Sequence, residues 1–458
     1  MRFLKMRRLH FVGAGGVGMS GLAEILLLST PLEISGCDLA RSENTERLLK
    51  LGAKIATGHD ASHVREADLL VVSSAVDEAN PEVAAARDRG IPVIRRAEML
   101  AEIMRLKQGV AIAGTHGKTT TTSLTGMVLT EAGFDPTIVV GGRVRILGTN
   151  ARLGKGDYLV AEADEFDRSF LELVPVVAVI TNIEADHLDT YRDVDDIRDA
   201  FAIFGNRVPF YGAVVACADD PGVASILPRI KRRVVTYGES AGALISAREI
   251  RLDASGASFE VWERETWSLG SVRLSLPGRH NVLNALAAIA VGRELSVPFP
   301  TIARALAEFT GVVRRFETKG ERGGVLVVDD YAHHPTEVSA TLASARQVYP
   351  GRRLVALFQP HLFSRTRDFA KDFGKALKAC DLAIVMDVYP SREKPMPGIT
   401  GRLVADAARE AGCAEVVYIP EKTRVTAELG RLARPGDVVL TMGAGDVVQF
   451  GEEFLSLG

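Results

Sequence analysis

Lys118 stands in the run Gly114-Thr115-His116-Gly117-Lys118-Thr119-Thr120, with two further threonines behind it and the apolar stretch 110–113 in front. Residue types in that order can cradle a nucleotide triphosphate. The apolar stretch supplies a buried strand, and Gly114 and Gly117 let the backbone turn its amides inward. A helix opening at Thr119 then presents an N-terminus that attracts anions. The Lys118 ammonium can reach the outer phosphates, and the Thr119 hydroxyl can ligate Mg²⁺. The pattern G-x-x-x-x-G-K-[ST] is met imperfectly, because its first glycine would fall on Ile112. A glycine-rich turn without a ligand is the plainer alternative, but packing gives no reason for a lysine between glycine and four threonines.

Carboxylate and imidazole groups follow at strand ends. Glu162-Ala163-Asp164-Glu165 comes after the apolar 158–160, where a carboxylate would face the phosphate loop. Mg²⁺ takes one or two carboxylates with phosphate oxygens and water, which makes Glu162 the candidate ligand. Asp186-His187, just past 176–182, places His187 at a third strand end of the same region. Upstream, Gly13-Ala14-Gly15-Gly16-Val17-Gly18 spells G-x-G-x-x-G between a strand at 9–12 and a helix at 19–28. Asp38 ends the next strand. Gly13, Gly15, Gly16 and Gly18 therefore read as a diphosphate seat, with Asp38 on a ribose. The physics selects a diphosphate at a helix N-terminus rather than a nicotinamide, and a UDP-sugar carries a diphosphate too.

Three later segments carry polar groups. Asn281, in a helix that opens near 277–285, can bond an adenine edge, although helix capping is nearly as good a role for it. Arg315, in Val312-Val313-Arg314-Arg315, precedes Asp329-Asp330-Tyr331-Ala332-His333-His334. An acid, an aromatic ring and paired histidines on one loop suit ribose and phosphate contacts better than packing. His361 and the arginines Arg365 and Arg367 follow the strand 354–358 on what reads as a loop, and either arginine can hold a carboxylate bidentately or serve a surface ion pair.

The elements that position these groups read as α/β throughout. Residues 9–106 alternate strands (9–12, 32–36, 69–72, 92–94) with helices, which indicates a parallel sheet. A second unit starts at the strand before Lys118. Between about 234 and 277 the texture changes: 257–261 and 272–276 alternate with period two, suggesting an antiparallel β appendage. A third α/β unit has strands at 325–328, 354–358, 382–386 and 438–441. The expected limits are 1–107, 108–313 and 314–458, in keeping with roughly three domains for 458 residues.

Composition bounds the function. Hydrophobic residues make up 47% and charged residues 25%, ordinary for a soluble globular chain. A formal charge of -3 offers no basic field for nucleic acid. No apolar run approaches the ~20 residues of a membrane helix. Cys37, Cys217, Cys380 and Cys413 are scattered without metal spacing and read as free thiols, so a cytoplasmic location is expected.

Taken together, the motifs resemble the Mur ligases over essentially the whole chain. The resemblance rests on G-A-G-G-V-G-M-S-G, G-T-H-G-K-T-T-T-T, E-A-D-E, D-H-L-D-T-Y, H-N-V-L-N-A, D-D-Y-A-H-H-P-T-E and F-Q-P-H-L-F-S-R-T-R-D, in the family's order. It implies three domains: an N-terminal Rossmann-like domain for a UDP-sugar, a central P-loop-type ATPase, and a C-terminal Rossmann-like α/β domain for closure and the amino acid. It also implies ATP-driven amide formation through an acyl phosphate, with UDP-N-acetylmuramate, L-alanine and ATP as partners, Mg²⁺ as cofactor, and a monomer or weak homodimer.

Carried over by position, residues 114–120 would bind the triphosphate, and Thr119, Glu162 and His187 would hold Mg²⁺. Lys118, Glu162, His187 and Arg365 would carry the catalysis. Asn281, Arg315, Asp330 and His333 would contact adenosine and phosphate, Tyr331, His361 and Arg365 the amino acid, and Ser73 and Ser74 the UDP diphosphate.

Two departures stand out. Some members carry a basic residue where Leu362 stands, so alanine recognition would lean more on Arg365. No lysine lies between Lys155 and Lys231, so the carbamylated lysine of several sister ligases looks absent. Three competitors remain. One is a ligase that joins the same UDP-sugar to a ready-made peptide. A nicotinamide dehydrogenase would leave Lys118 and Glu162 idle, and a binding-only ATP switch would not need residues 361–367.

Overall fold

The computed structural model describes residues 6–457 apart from 74–75, 145–148, 189, 254, 265–266 and 392. Strands β1 (Arg8–Val12), β2 (Glu33–Asp38), β3 (Lys54–Thr57), β4 (Leu69–Val72) and β5 (Val93–Arg95) form a parallel sheet in the order β3-β2-β1-β4-β5. Helices α1 (Val17–Ser29), α2 (Glu43–Lys50), α3 (Pro81–Asp88) and α4 (Arg96–Met104) alternate with them. Both faces are covered, so β1 reads as a near-continuous apolar run instead of alternating.

The second sheet has ten strands: β6 (Gln108–Ala113), β7 (Thr137–Val144), β8 (Thr149–Arg152), β9 (Tyr158–Glu162), β10 (Val177–Ile180), β11 (Ala213–Cys217), β12 (Val234–Gly238), β13 (Ile245–Asp253), β14 (Gly256–Glu263) and β15 (Trp267–Leu274). Their order is β15-β14-β13-β12-β11-β10-β6-β9-β7-β8. Pairing is parallel from β12 through β7 and antiparallel between β7 and β8. Helices α5 (Lys118–Glu131), α6 (Val194–Asn206), α7 (Pro221–Ile226), α8 (Arg279–Glu294) and α9 (Phe299–Ala307) accompany it.

In this order β6 lies between β10 and β9. Their C-terminal ends are therefore neighbours, and the groups that follow all three strands are delivered to one edge. The expected appendage begins later than 234, because β12 and the first residues of β13 still pair in parallel (Tyr237 with Ile245). Its last strand ends at Leu274 instead of 276.

The third sheet comprises β16 (Glu317–Arg322), β17 (Val325–Asp330), β18 (Leu354–Phe358), β19 (Leu382–Met386), β20 (Val416–Ile419) and β21 (Val438–Met442), ordered β16-β17-β21-β18-β19-β20. Only the β16 edge is antiparallel. Helices α10 (Pro335–Val348), α11 (Phe363–Leu377), α12 (Arg402–Glu410), α13 (Lys422–Leu432) and α14 (Val447–Ser456) complete it.

The chain falls into two compact units. The first comprises Met1–Arg248, Glu260–Gly270 and Leu283–Phe309, the second Glu249–Phe259, Ser271–Val282 and Thr310–Gly458. In the first, one apolar core runs from Leu22 and Leu26 on α1 to Val139 and Ala151 of the second sheet. The second packs Val328, Phe358, Phe373 and Leu440 on one sheet face and Val327, Leu357 and Ile384 on the other. Among the described residues, no helix is long and apolar enough to cross a membrane.

Candidate functional site

The phosphate loop adopts the backbone its glycines permit. Gly114 has φ +141° and Gly117 φ +80°. Gly117 caps α5, which starts at Lys118, one residue before the expected opening. The cap makes no side-chain hydrogen bond, and no acidic residue occupies the first turn, so the initial amides are left for an anion. The loop is braced from behind by the segment after β10. His116 N–H donates to Asn182 Oδ1 at 2.7 Å, and the Thr181 hydroxyl donates to the His116 carbonyl at 2.7 Å. Glu184 N–H donates to Thr115 Oγ1 at 3.0 Å.

Lys118 and Glu162 sit where the strand ends predict. The Lys118 ammonium donates to the Gly114 carbonyl at 2.7 Å, and to Glu165 Oε1 and Oε2 at 2.9 and 2.8 Å. Burial pulls its pKa down, but Glu165, Asp164 and Glu162 together hold it above the usual lysine value. Burial instead pushes Glu165 up to about 7, with the Lys118 charge opposing and the Asp164 charge reinforcing the rise. The Thr119 hydroxyl lies 3.2 and 3.1 Å from the two Glu162 oxygens, and Gly141 N–H donates to Glu162 Oε2 at 2.7 Å.

His187 takes a left-handed backbone (φ +53°), unusual for a residue with a side chain. This turns its Nε2 to within 3.8 Å of Glu165 Oε1 and 3.7 Å of Asp186 Oδ2. Thr120 is buried one residue further into α5.

Two groups beyond the expected set belong here. Glu165 binds Lys118, whereas the strand-end argument points to Glu162 alone. Asn284 presents Oδ1 to the Thr121 hydroxyl at 3.2 Å, and a Cβ placed on Gly117 would lie 2.5 Å from that oxygen. Gly117→Ala therefore meets both positive φ and a polar neighbour. It is expected to cost about 1–3 kcal/mol of stability and to weaken ATP binding without changing UDP-sugar affinity, read by denaturant unfolding and calorimetry.

At the other glycine loop, Gly13 and Ala14 N–H both donate to the Cys37 carbonyl at 2.9 Å, and Gly16 caps α1 without a side-chain bond. Asp38 accepts Gly15 N–H on Oδ2 at 2.7 Å and Leu39 N–H on Oδ1 at 2.8 Å. It pins the loop, a job the ribose reading did not foresee. A Cβ on Gly15 would sit 2.8 Å from Asp38 Oδ2, and one on Gly18 2.9 Å from Arg96 Cδ. Ser73 lies beside Gly13, where a glycine Cβ would be 3.3 Å from its own. Ser74 lies outside the described residues.

The second unit gathers the downstream candidates. Asp330 accepts Phe316 N–H and Ala332 N–H at 2.9 Å each, and burial pushes it up to about 6 against the Arg315 charge. Arg315 and Arg314 lie over the Tyr331 ring at 5.5 and 5.0 Å. The His333 and His361 rings meet edge to face at 5.9 Å, and His361 stacks on Tyr389 at 5.8 Å, a partner the sequence did not suggest. Asn281 is the third residue of α8 and donates its amide to the Pro277 carbonyl at 2.7 Å, which is not the capping bond weighed against its adenine role, because a cap accepts through its side-chain oxygen.

Arg365 corrects an expectation. It is not on a loop but in the first turn of α11, 5% exposed, with Nη1 3.5 Å from His361 Nδ1. Leu362 precedes that helix at φ +70°, a strained value for a leucine.

Comparison with known proteins follows the same lines. Family models described as "Mur ligase family, catalytic domain", "Mur ligase middle domain" and "Mur ligase, glutamate ligase domain" match residues 8–108, 112–292 and 314–445. The chain is 53% identical over 451 residues to a UDP-N-acetylmuramate–L-alanine ligase of Solidesulfovibrio magneticus, covering 98% of each. A UDP-N-acetylmuramate–alanine ligase structure from Thermotoga maritima superposes with TM-score 0.81 at 30% identity, covering 98% of both chains. A murein peptide ligase from Psychrobacter arcticus shares the fold at TM-score 0.73 and 24% identity, again over 98% of both.

Proposed function

The chain belongs to the Mur ligase family, and on that premise we propose that it joins L-alanine to the lactyl carboxylate of UDP-N-acetylmuramate. ATP is consumed, and the products are UDP-N-acetylmuramoyl-L-alanine, ADP and phosphate, a step of peptidoglycan precursor synthesis. The observation that carries the reading is the convergence at one sheet edge of a glycine-capped helix N-terminus, Lys118, and the Thr119–Glu162 pair.

The chemistry follows from charge. A lactyl carboxylate is a poor acylating agent and must first attack the γ-phosphate, one anion approaching another. Lys118 and the amides that open α5 lower that repulsion. To do so Lys118 exchanges Glu165 for phosphate oxygens, and the elevated Glu165 pKa lets that carboxyl accept a proton as its partner leaves. The alanine amine then attacks the acyl phosphate, and phosphate departs from the tetrahedral intermediate. Water must be excluded meanwhile, or the acyl phosphate hydrolyses.

The residues fit Mg²⁺. Thr119 and Glu162 are hard oxygen donors 3.1–3.2 Å apart, and a Cβ on Gly141 would crowd Glu162 Oε2 at 2.9 Å, so only glycine leaves that carboxylate its place. Thr119, Glu162 and His187 would hold the ion, which when bound supplies charge neutralisation on the phosphates. We place domain limits at 1–107, 108–313 and 314–458, for UDP-sugar, ATP and amino acid respectively. The residues assigned to these ligands by resemblance keep their roles in this proposal, and the reaction is assigned to the cytoplasm.

Phosphate release from ATP with UDP-N-acetylmuramate present, scanned over amino acids and a free tripeptide that begins with L-alanine, tests the reading. Turnover is expected with L-alanine and not with the tripeptide. The opposite preference would make this a peptide-joining ligase, and turnover with neither would discard the assignment.

A further inference from the structure

Away from the phosphate loops, the first sheet buries a carboxylate among three imidazoles and a thiol. Glu82, in the first turn of α3, has a side chain 0% exposed. Cys37 Sγ donates to its Oε2 at 2.9 Å, and His63 Nδ1 lies 2.6 Å from Oε1. His10 Nε2 is 3.7 Å from Oε1. Its other nitrogen is already bonded to Ser35 Oγ at 2.8 Å, which fixes the ring, and its Nε2 is buried with no hydrogen-bond partner among the described residues. The donor atoms of His10, Cys37, His63 and Glu82 all lie within 4.8 Å of one another.

We propose that His10, Cys37, His63 and Glu82 form a tetrahedral site for a divalent zinc-type cation. Two imidazole nitrogens, one sulfur and one carboxylate oxygen make the mixed, borderline-soft donor set that Zn²⁺ takes in closed sites, and that Mg²⁺ and Ca²⁺ avoid. The site is distinct from the oxygen-lined Thr119–Glu162 pair.

A route in exists: a pocket of about 650 Å³ is lined in part by His10, Ser35, Gly36 and His63. Both carboxylate oxygens already face the other ligands: Oε2 accepts from Cys37 Sγ, and Oε1 lies against His63 Nδ1. His59 Nδ1, 3.1 Å from Glu82 Oε2 and 3.2 Å from Cys37 Sγ, is placed to orient both ligands.

Binding balances without redox chemistry. Bonds form from the cation to Sγ, two ring nitrogens and one carboxylate oxygen, and the Cys37 S–H bond breaks with its proton released to water. The proton shared between His63 Nδ1 and Glu82 Oε1 moves to His63 Nε2, which leaves both atoms able to bind the cation. Occupancy also bears on the glycine loop, because the Cys37 carbonyl receives Gly13 and Ala14 N–H and the adjacent Asp38 receives Gly15 N–H.

The test uses metal-free full-length protein titrated with Zn²⁺ and Co²⁺. The expected result is one tightly held ion that persists in Glu162→Gln. Co²⁺ should give a thiolate-to-metal charge-transfer band that is lost in Cys37→Ser and kept in Cys413→Ser. His63→Asn, at a position partly open to solvent, should weaken affinity at least ~10-fold while the far-ultraviolet dichroism stays native, which covers the case in which Cys37→Ser fails to fold. A wild-type protein without a charge-transfer band, a band that survives Cys37→Ser, or unchanged affinity in His63→Asn each overturns the site.

Discussion

Replacing Lys118 by alanine is expected to abolish ligation while UDP-N-acetylmuramate binds as before. Lys118 is the cation that opens α5, and removing one preorganised electrostatic contact from a reacting centre costs about 10²–10³ in turnover. In the proposed reaction the charge it neutralises belongs to the phosphates, whereas the sugar nucleotide is assigned to the glycine loop at 13–18. The variant also strands Glu165, whose two oxygens both accept from Lys118. Breaking a buried pair typically costs about 3–5 kcal/mol, less if the orphaned group neutralises.

Glu165 does have that escape, since burial already places it at about 7, above its ordinary value. The folded state of the variant then binds a proton that the unfolded chain has released. Where the native state holds more protons, stability falls as pH rises. The unfolding free energy of Lys118→Ala should therefore drop between about pH 5 and 8 more steeply than that of the wild type. A variant keeping more than a tenth of wild-type turnover would remove Lys118 from the phosphate site. A pH dependence parallel to the wild type would remove the Glu165 argument alone.

The sequence disclosed what is local or dictated by sheet direction. Gly114 and Gly117 require positive φ, and such a requirement is written in residue type. Glu162 and His187 were placed because polar groups after parallel strands collect at the C-terminal edge, and the adjacency of β9, β6 and β10 brings that about. What stayed hidden depends on partner choice among distant residues. Glu165 and Glu162 are both acids of one tetrapeptide, and only the folded loop decides that the former meets Lys118. Asn284 stands one turn beyond Asn281, and nothing in its spacing marks it as the oxygen facing Gly117.

The limit is sharpest at Cys37. Its neighbours lie 22 residues away at His59 and 45 away at Glu82, so no spacing pattern of metal ligands exists to be read. All four cysteines are free, in keeping with the reading as free thiols, but that reading is silent on what surrounds Cys37. Helix starts were missed for another reason. Arg365 looked like a loop residue because Pro360 ends the strand and Leu362 is a poor helix cap. The chain turns there through a positive φ that no leucine advertises.

That turn bears on the amino-acid pocket. Alanine offers a carboxylate, an amine and one methyl, so its recognition rests on a cation for the carboxylate. Leu362 cannot supply one, and Arg365 is the candidate on the same segment. As a member of the first turn of α11 its Cα is fixed, the residue is 5% exposed, and its guanidinium is adjacent to His361. His361 is itself held by stacking on Tyr389. A fork held this firmly selects for bidentate geometry, which lysine cannot reproduce although it keeps the charge. Arg365→Lys is therefore expected to raise the Michaelis constant for alanine about 10- to 100-fold, one charge-assisted hydrogen bond contributing about 1.5–3 kcal/mol. The constants for ATP and UDP-N-acetylmuramate should hold. If ATP affinity falls while that for alanine stays, Arg365 is a phosphate ligand and the amino-acid carboxylate is bound elsewhere.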